Sequence, residues 1–295
     1  MIKRSIIPNS SSSVITDFHV HTFPEKIAAS ALEKLQSKSH TRPFTDGTLN
    51  ALETSMKNAC VSRSVLQPVA TKPEQVTGIN DKAVKINSDY QNIISFGAMH
   101  PYFENYEAEL ERIFLAGIKG IKLHPVYQGL SVDDGKYIRI LQKACALGLA
   151  VLIHAGWDIG FPGNDNAMPE KIKNALEKIH SDKKIILAHM GGWRAWNAAK
   201  IFLSYEGVYI DTAFSLGEFT PNGDNFYKTR EECKMLNEDE FVEIIKTFGT
   251  ERVIFGSDSP WASQKDSIER LNAIKSLNES DKNLIFSINA EIFFL

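Results

Sequence analysis

Short apolar segments alternate with longer amphipathic segments along almost the whole chain. Most of the apolar segments are continuous rather than alternating in hydrophobicity, which is typical of strands buried on both faces of a parallel sheet. Eight segments read as such strands, and they cover residues 14–21, 61–69, 93–99, 118–123, 149–153, 185–188, 208–210 and 253–255. The pattern therefore predicts a protein built around parallel strands.

Between these strands, apolar residues recur at the spacing of amphipathic helices. The predicted helices cover residues 24–35, 45–59, 73–89, 106–116, 133–147, 169–179, 193–203, 238–248, 263–276 and 281–292. Eight strand–helix units favour an α/β fold of the (β/α)₈ TIM-barrel type, with a doubly wound sheet as the alternative.

No break in composition divides the chain, so we predict a single domain over residues 14–295. Residues 1–13 are rich in serine and are predicted to form a flexible N-terminal arm. Two long polar segments, 155–168 and 214–237, would be loops at the C-terminal face of the barrel, where such folds place their active sites. The second is long enough to act as a lid.

Several apolar strands end at an ionisable residue. These residues are His21, His100, Lys122, His154, His189 and Asp258. One histidine after a strand is more often a rim or core residue than a ligand. The C-terminal strand ends of a barrel converge on one mouth, however, so four histidines and an aspartate there indicate a metal centre.

The first strand carries the densest polar pattern, Asp17-Phe-His19-Val-His21. Strict alternation would place Asp17, His19 and His21 on one face, where two imidazoles could reach a single ion. The alternative is a polar edge strand with its histidines in solvent. Asp17 lies two residues deeper than His19, so we interpret it as a buried structural carboxylate or a partner of a ligand.

These positions resemble the amidohydrolase superfamily, and within it the amidohydrolase-related group that includes relatives of aminocarboxymuconate-semialdehyde decarboxylase. The resemblance extends over residues 14–292. It is strengthened by Gly-Ile-Lys-Leu-His-Pro at 120–125, Ala-His-Met-Gly-Gly at 188–192 and Phe-Gly-Ser-Asp-Ser-Pro-Trp at 255–261. It implies a metal-dependent enzyme on a TIM barrel.

The resemblance also implies roles for individual residues. One divalent metal ion, with zinc favoured, would be bound by His19, His21, His154 and Asp258. Asp258 would also act as general base, and His189 would orient water or polarise the scissile carbonyl. Lys122 has three alternatives: a carboxylated lysine that binds a second metal together with His189, an ammonium group for a substrate carboxylate, or a buried ion-pair partner. We favour one metal over two.

Three residues are predicted to contact the substrate: Lys122, His124 and Trp193. For His124 the alternative is a hydrogen bond at the barrel rim, and for Trp193 it is packing of a loop on the barrel.

The predicted reaction is metal-dependent hydrolysis of a C–O or C–N bond in a small lactone, ester or amide. The alternative is non-oxidative decarboxylation of an unsaturated or aromatic carboxylic acid, in which Lys122, Arg194 or Arg230 would supply charge. A third alternative is a barrel that retains a metal for a structural purpose, which a catalytic ligand set argues against.

The net charge and the distribution of Lys and Arg indicate which classes of binding partner to expect. The net charge is −3 and no dense Lys/Arg run occurs, so neither nucleic acid nor a membrane surface is expected as a partner. A small-molecule substrate is expected instead, and a homodimer is compatible with the sequence. The three cysteines, Cys60, Cys145 and Cys233, are far apart, which is typical of thiols in a reducing cytoplasm.

Overall fold

The computed structural model describes residues 14–179 and 184–295, so the predicted arm at 1–13 lies outside the described residues. The strands in this part of the chain are β1 (Thr16–Val20), β2 (Arg63–Leu66), β3 (Ile93–Ser95), β4 (Gly97–Ala98), β5 (Gly120–Leu123), β6 (Ala150–Ile153), β7 (Ile185–Leu187), β8 (Val208–Asp211) and β9 (Val253–Ile254). Strands β3 and β4 are two segments of one predicted strand, interrupted at Phe96. Each of the eight predicted strands is therefore confirmed.

The strands pair in parallel and in sequential order, β1 to β3 in one sheet and β4 to β9 in another. Backbone hydrogen bonds close the ring between the first and last strands: Phe18 N donates to Phe255 O and Asp258 N donates to His19 O, both at 2.8 Å. A doubly wound sheet would reverse its strand order, and this sheet does not. The (β/α)₈ barrel is confirmed.

The described α-helices are α1 (Glu25–Ser39), α2 (Leu49–Asn58), α3 (Val76–Asp89), α4 (Tyr106–Leu115), α5 (Pro125–Gln128), α6 (Gly135–Ala146), α7 (Pro169–Leu176), α8 (Glu238–Phe248), α9 (Gln264–Ala273), α10 (Glu279–Asn283) and α11 (Asn289–Glu291). None of them combines the length and apolar character needed to cross a membrane.

Two predicted helices differ from the structure. The segment predicted at 193–203 is a 3₁₀ helix that begins only at Trp196. Arg194 has a positive φ of 54°, and a left-handed residue cannot continue a right-handed helix. The segment predicted at 281–292 is divided by a π-helical turn, Leu284–Ile288, between α10 and α11.

The barrel interior is apolar at one end. Phe18, Phe96, Leu152 and Ile186 are fully buried there and belong to one cluster, which Phe293 from the C-terminus joins. The rings of Phe18 and Phe293 lie 5.2 Å apart. Apolar side chains fill this end of the barrel. The ionisable residues of the candidate site lie at the other end, at the mouth formed by the C-terminal strand ends.

The two long loops pack on each other above this mouth. Trp193, Phe214 and Phe219 form a buried cluster against which Trp157 from the other loop packs. The 214–237 loop is also attached to the segment after α1: Arg42 N donates to Thr220 O at 2.9 Å, and His40 Nδ1 lies 2.6 Å from Asp224 Oδ2. A lid role for this loop stays a prediction.

Two glycines test the packing of the barrel. A Cβ at Gly120 in β5 would lie 2.4 Å from Phe96 Cε2 and 2.7 Å from Ala150 O, whereas a Cβ at Gly78 in α3 meets nothing within 4 Å. We expect Gly120→Ala to lower the free energy of unfolding by about 1–3 kcal/mol through overpacking. Gly78→Ala should raise it by about 0.5–1 kcal/mol through helix propensity. Urea denaturation measures both, and equal effects would contradict the packing described here.

Candidate metal centre

The site is organised around His19 and His21 at the end of β1. The register of β1 against β2 shifts between Asp17 and Val20, so the strict alternation predicted for this strand is wrong. Asp17 accepts hydrogen bonds from Ser257 Oγ at 2.5 Å and from Gln264 Nε2 of α9 at 2.8 Å. His19 and His21 instead meet at the mouth, with their Nε2 atoms 3.1 Å apart.

Asp258 joins the two histidines from the segment after β9. Its Oδ1 lies 3.1 Å from His21 Nε2 and 3.7 Å from His19 Nε2. The residue has a φ of 71°, an uncommon conformation for a side chain other than glycine, and its N–H is fixed by the bond to His19 O. Strained backbone of this kind is typical of functional sites.

The hydrogen-bond partners of the two imidazoles decide where their protons lie. His19 Nδ1 is 2.7 Å from Asp211 Oδ2, and His21 Nδ1 is 2.8 Å from the carbonyl oxygen of Gln67. A carboxylate and a carbonyl both accept, so each Nδ1 carries the proton and each Nε2 presents a lone pair. Two lone pairs and a carboxylate oxygen therefore point at one another.

This arrangement fits a divalent metal ion. Ligand atoms at zinc–nitrogen distances of about 2.0–2.1 Å in a tetrahedral site lie about 3.4 Å from each other. The three separations observed, 3.1, 3.1 and 3.7 Å, bracket that value. Without a cation between them, the three electron-rich atoms would repel each other.

His154 and His189 lie beside this group. His189 Nδ1 is 2.9 Å from Ala213 O and therefore donates, so its Nε2 accepts from His154 Nδ1 at 3.2 Å. His154 Nε2 then presents a lone pair, and this buried atom has no hydrogen-bond partner among the described residues. Such an orphaned atom suits a further ligand. His154 is not part of the close group of His19, His21 and Asp258, however, so its ligation stays a prediction.

A second cluster contains His124, His154 and Asp158. Asp158 Oδ2 lies 3.6 Å from His124 Nε2 and 3.9 Å from His154 Nε2. The two imidazole rings are stacked, with centroids 4.1 Å apart and planes inclined by only 12°. His124 Nδ1 accepts from the backbone N–H of Tyr127, so the neutral ring carries its proton on Nε2, and this cluster fits an ion less well than the first.

Lys122 is close enough to both clusters to influence their charges. It is 1% exposed, and its Nζ is 3.2 Å from His19 Nε2. Among the described residues it forms no ion pair with a carboxylate, although Asp211, Asp258 and Asp158 are near enough to influence it. Burial lowers the pKa of Lys122 to about 8 against the opposing effect of these three charges.

Burial also sets the charges of the other site residues. It lowers the pKa of His19, His154 and His189, so these imidazoles are neutral, which is the form that binds metals. For Asp258 burial acts to raise the pKa, but the contacts with the neighbouring histidines outweigh it, and the pKa lies below its ordinary value. Burial raises the pKa of Asp158 to about 7.

The predicted substrate contacts occupy different parts of the mouth. His124 is buried, caps α5 and stacks on Tyr127 at 3.9 Å. Trp193 is 6% exposed within the aromatic cluster of the long loops, and its Nε1 has no partner among the described atoms. Lys122 lies beside His19, and the ring of His124 stacks on that of His154. Contact with substrate remains a prediction for all three.

The two arginines considered as carboxylate anchors have other partners. Arg194 donates to the carbonyl oxygens of Glu232 and Lys234. Arg230 is 81% exposed at its side chain and forms an ion pair with Glu218 at 2.7 Å. Neither is therefore held in the mouth by the contacts of this structure.

Asp158 and Asp211 were not among the predicted site residues. Residues 208–211, Val-Tyr-Ile-Asp, form an apolar strand that ends at an acid, so the rule applied to the other strand ends would have found Asp211. The signal for Asp158 was weaker, since it lies in a loop four residues after His154.

The chain has detectable relatives in sequence and structure. The sequence model described as "Amidohydrolase" matches residues 17–294. No curated protein sequence matches the chain.

Solved structures that share its fold do so at low sequence identity. An uncharacterised TIM-barrel protein from Bordetella bronchiseptica has 14% identity and a TM-score of 0.72, with 95% of this chain and 97% of that chain covered. A putative 2-pyrone-4,6-dicarboxylic acid hydrolase from Pseudomonas putida has 13% identity and a TM-score of 0.64, with 96% and 98% covered. A 5-carboxyvanillate decarboxylase from Novosphingobium aromaticivorans with bound manganese has 14% identity and a TM-score of 0.65, with 95% and 97% covered.

Proposed function

The chain belongs to the amidohydrolase family, and on that premise we propose that it is a metal-dependent hydrolase of a small lactone, ester or amide. The observation that carries the proposal is the convergence of His19 Nε2, His21 Nε2 and Asp258 Oδ1. These three residues would hold one divalent ion, with His154 as the fourth ligand and zinc as the favoured metal.

When bound, the ion supplies Lewis-acid chemistry, which acidifies water and polarises a carbonyl oxygen. The chain's own residues do the rest. Asp258 is ionised and takes the proton of the attacking water, and His189 orients that water from beside His19. Lys122 holds an anionic part of the substrate next to the reacting carbonyl. The aromatic side chains of the two long loops exclude bulk solvent.

Decarboxylation of an unsaturated or aromatic acid is the second candidate, and two observations favour it. The reaction needs a cation for the carboxylate and an acid that delivers a proton to carbon. Lys122 is a buried amine beside the ligand His19. Asp158 lies in the same mouth with its pKa raised to about 7 by burial, so its carboxyl group is partly protonated at neutral pH.

The two candidates differ in their products, so one experiment separates them. Protein loaded with Zn²⁺ or Mn²⁺ would be incubated with 2-pyrone-4,6-dicarboxylate, dihydrocoumarin and 5-carboxyvanillate. Ring opening of a lactone, followed by absorbance, is the result expected of the hydrolase. Release of carbon dioxide from 5-carboxyvanillate with the lactones unchanged would favour the decarboxylase. Inertness toward all three and toward aryl esters would contradict the hydrolase proposal.

A further inference from the structure

Asp211, the last residue of β8, contacts both His19 and His189 in the candidate metal centre. It is fully buried, and its Oδ2 lies 2.7 Å from His19 Nδ1. Its other oxygen, Oδ1, accepts hydrogen bonds from the backbone N–H groups of His189 at 2.8 Å and Ala213 at 3.1 Å. One carboxylate therefore joins a proposed ligand to the residue proposed to orient water.

The contact with His19 fixes the direction of the ligand's lone pair. An ionised carboxylate can only accept, so it keeps the proton of His19 on Nδ1 and leaves Nε2 free to bind a cation. An amide at this position would instead be able to donate to Nδ1 and would move the proton to Nε2. The charge and the acceptor character of Asp211 both matter for this function.

The contact with His189 stabilises an unusual backbone. His189 and Met190 have φ values of 60° and 56°, in the left-handed region that residues other than glycine rarely adopt. Besides the bond from His189 N to the side chain, Met190 N donates to the backbone oxygen of Asp211 at 2.7 Å. Asp211 thus holds both left-handed residues at the end of β7.

We propose that Asp211 is a positioning residue that sets the metal-binding tautomer of His19 and the place of His189 together. This inference rests on the proposed metal site. The alternative is a purely structural carboxylate, and Asp17 is the matched example of one. Asp17 is also fully buried and accepts hydrogen bonds from Ser257, Gln264 and the backbone N–H of His19, but among the described residues it forms no hydrogen bond with an imidazole ring.

The test compares Asp211→Asn with Asp17→Asn in the full chain. The dissociation constant for Zn²⁺ would be measured by competition with a chromophoric chelator, and thermal unfolding would be followed without metal. We expect Asp211→Asn to weaken Zn²⁺ binding by about 10- to 100-fold. Asp17→Asn should lower the melting temperature and leave the dissociation constant at its wild-type value.

Several outcomes would overturn this inference. It is wrong if Asp211→Asn binds Zn²⁺ like the wild type, or if both variants weaken binding equally. A wild-type chain that binds no Zn²⁺ would instead contradict the proposed function itself. If Asp211→Asn does not fold, ¹⁵N NMR of the metal-free wild type decides the matter, because we expect His19 protonated at Nδ1, and a proton on Nε2 would refute the role of Asp211.

Discussion

Replacing Asp258 by asparagine is expected to lower kcat/KM of the metal-loaded protein by about 10³-fold or more, without loss of the fold. The carboxylate has two tasks in the proposed reaction, since it binds the ion and takes a proton, and general-base catalysis alone contributes about 10²- to 10⁴-fold. The amide keeps the size of the side chain but cannot take up that proton. The amide can also lie with its NH₂ group toward the lone pairs of His19 and His21. In that orientation it donates hydrogen bonds to them and cannot bind a cation.

The measurement is steady-state kinetics on the substrate identified for the wild type, with metal content determined for each preparation. Asp266→Asn is the matched control, because Asp266 is an exposed carboxylate on α9, only eight residues further along the chain. We expect this control to retain wild-type kcat/KM. An Asp258→Asn protein that is metal-replete and fully active would contradict the mechanism.

The barrel could be predicted because the sequence patterns of its strands and helices each lie within a short segment of the chain. Each strand is a short, continuous apolar run, and each helix presents an amphipathic pattern, so eight repeats identify the architecture without any knowledge of contacts. The segment after β7 shows where this reasoning ends. Its apolar spacing predicted a helix from 193, but the left-handed conformation of Arg194 delays the helix to Trp196.

The candidate site could be predicted as a set of residues but not as an arrangement. Strand ends converge in a barrel, and this rule brought His19, His21 and Asp258 together from opposite ends of the chain. The proton positions depend on Asp211 and on the backbone of Gln67, which come from other strands. Similarly, the stacking of His124 on His154 depends on two ring orientations that no spacing encodes.

The two clusters at the mouth differ in charge, and they would suit different tasks: binding a cation and exchanging a proton. The convergent cluster of His19, His21 and Asp258 suits a cation, since burial keeps His19 neutral and the pKa of Asp258 lies below its ordinary value. The stacked cluster of His124, His154 and Asp158 has a carboxyl group whose pKa is about 7, which suits proton exchange with a substrate. Lys122 influences residues of both clusters, so a substrate anion bound to it would lie near both.

Of the changes proposed, removal of the metal is expected to lower the free energy of unfolding most. A ligand that binds only the folded state at a thousand times its dissociation constant adds about 4 kcal/mol to the free energy of unfolding. At about 2 °C per kcal/mol for a chain of this size, dialysis against a chelator should lower the melting temperature by about 8 °C, and added Zn²⁺ should restore it. The physical cause is that the ion binds the folded state, in which the lone pairs of His19 and His21 converge, and not the unfolded chain.

Two histidine variants make this prediction specific. His21→Ala removes one converging lone pair, so its melting temperature should not respond to Zn²⁺, and its metal content should fall well below one ion per chain. His40→Ala removes a histidine that pairs with Asp224 outside the site, and it should respond like the wild type. Two ions per wild-type chain, with the second lost in Lys122→Ala, would contradict the single-metal site and favour a lysine-bridged pair instead. An equal response of His21→Ala and the wild type would show that the ion binds elsewhere, because His21 Nε2 is the atom closest to both other ligands.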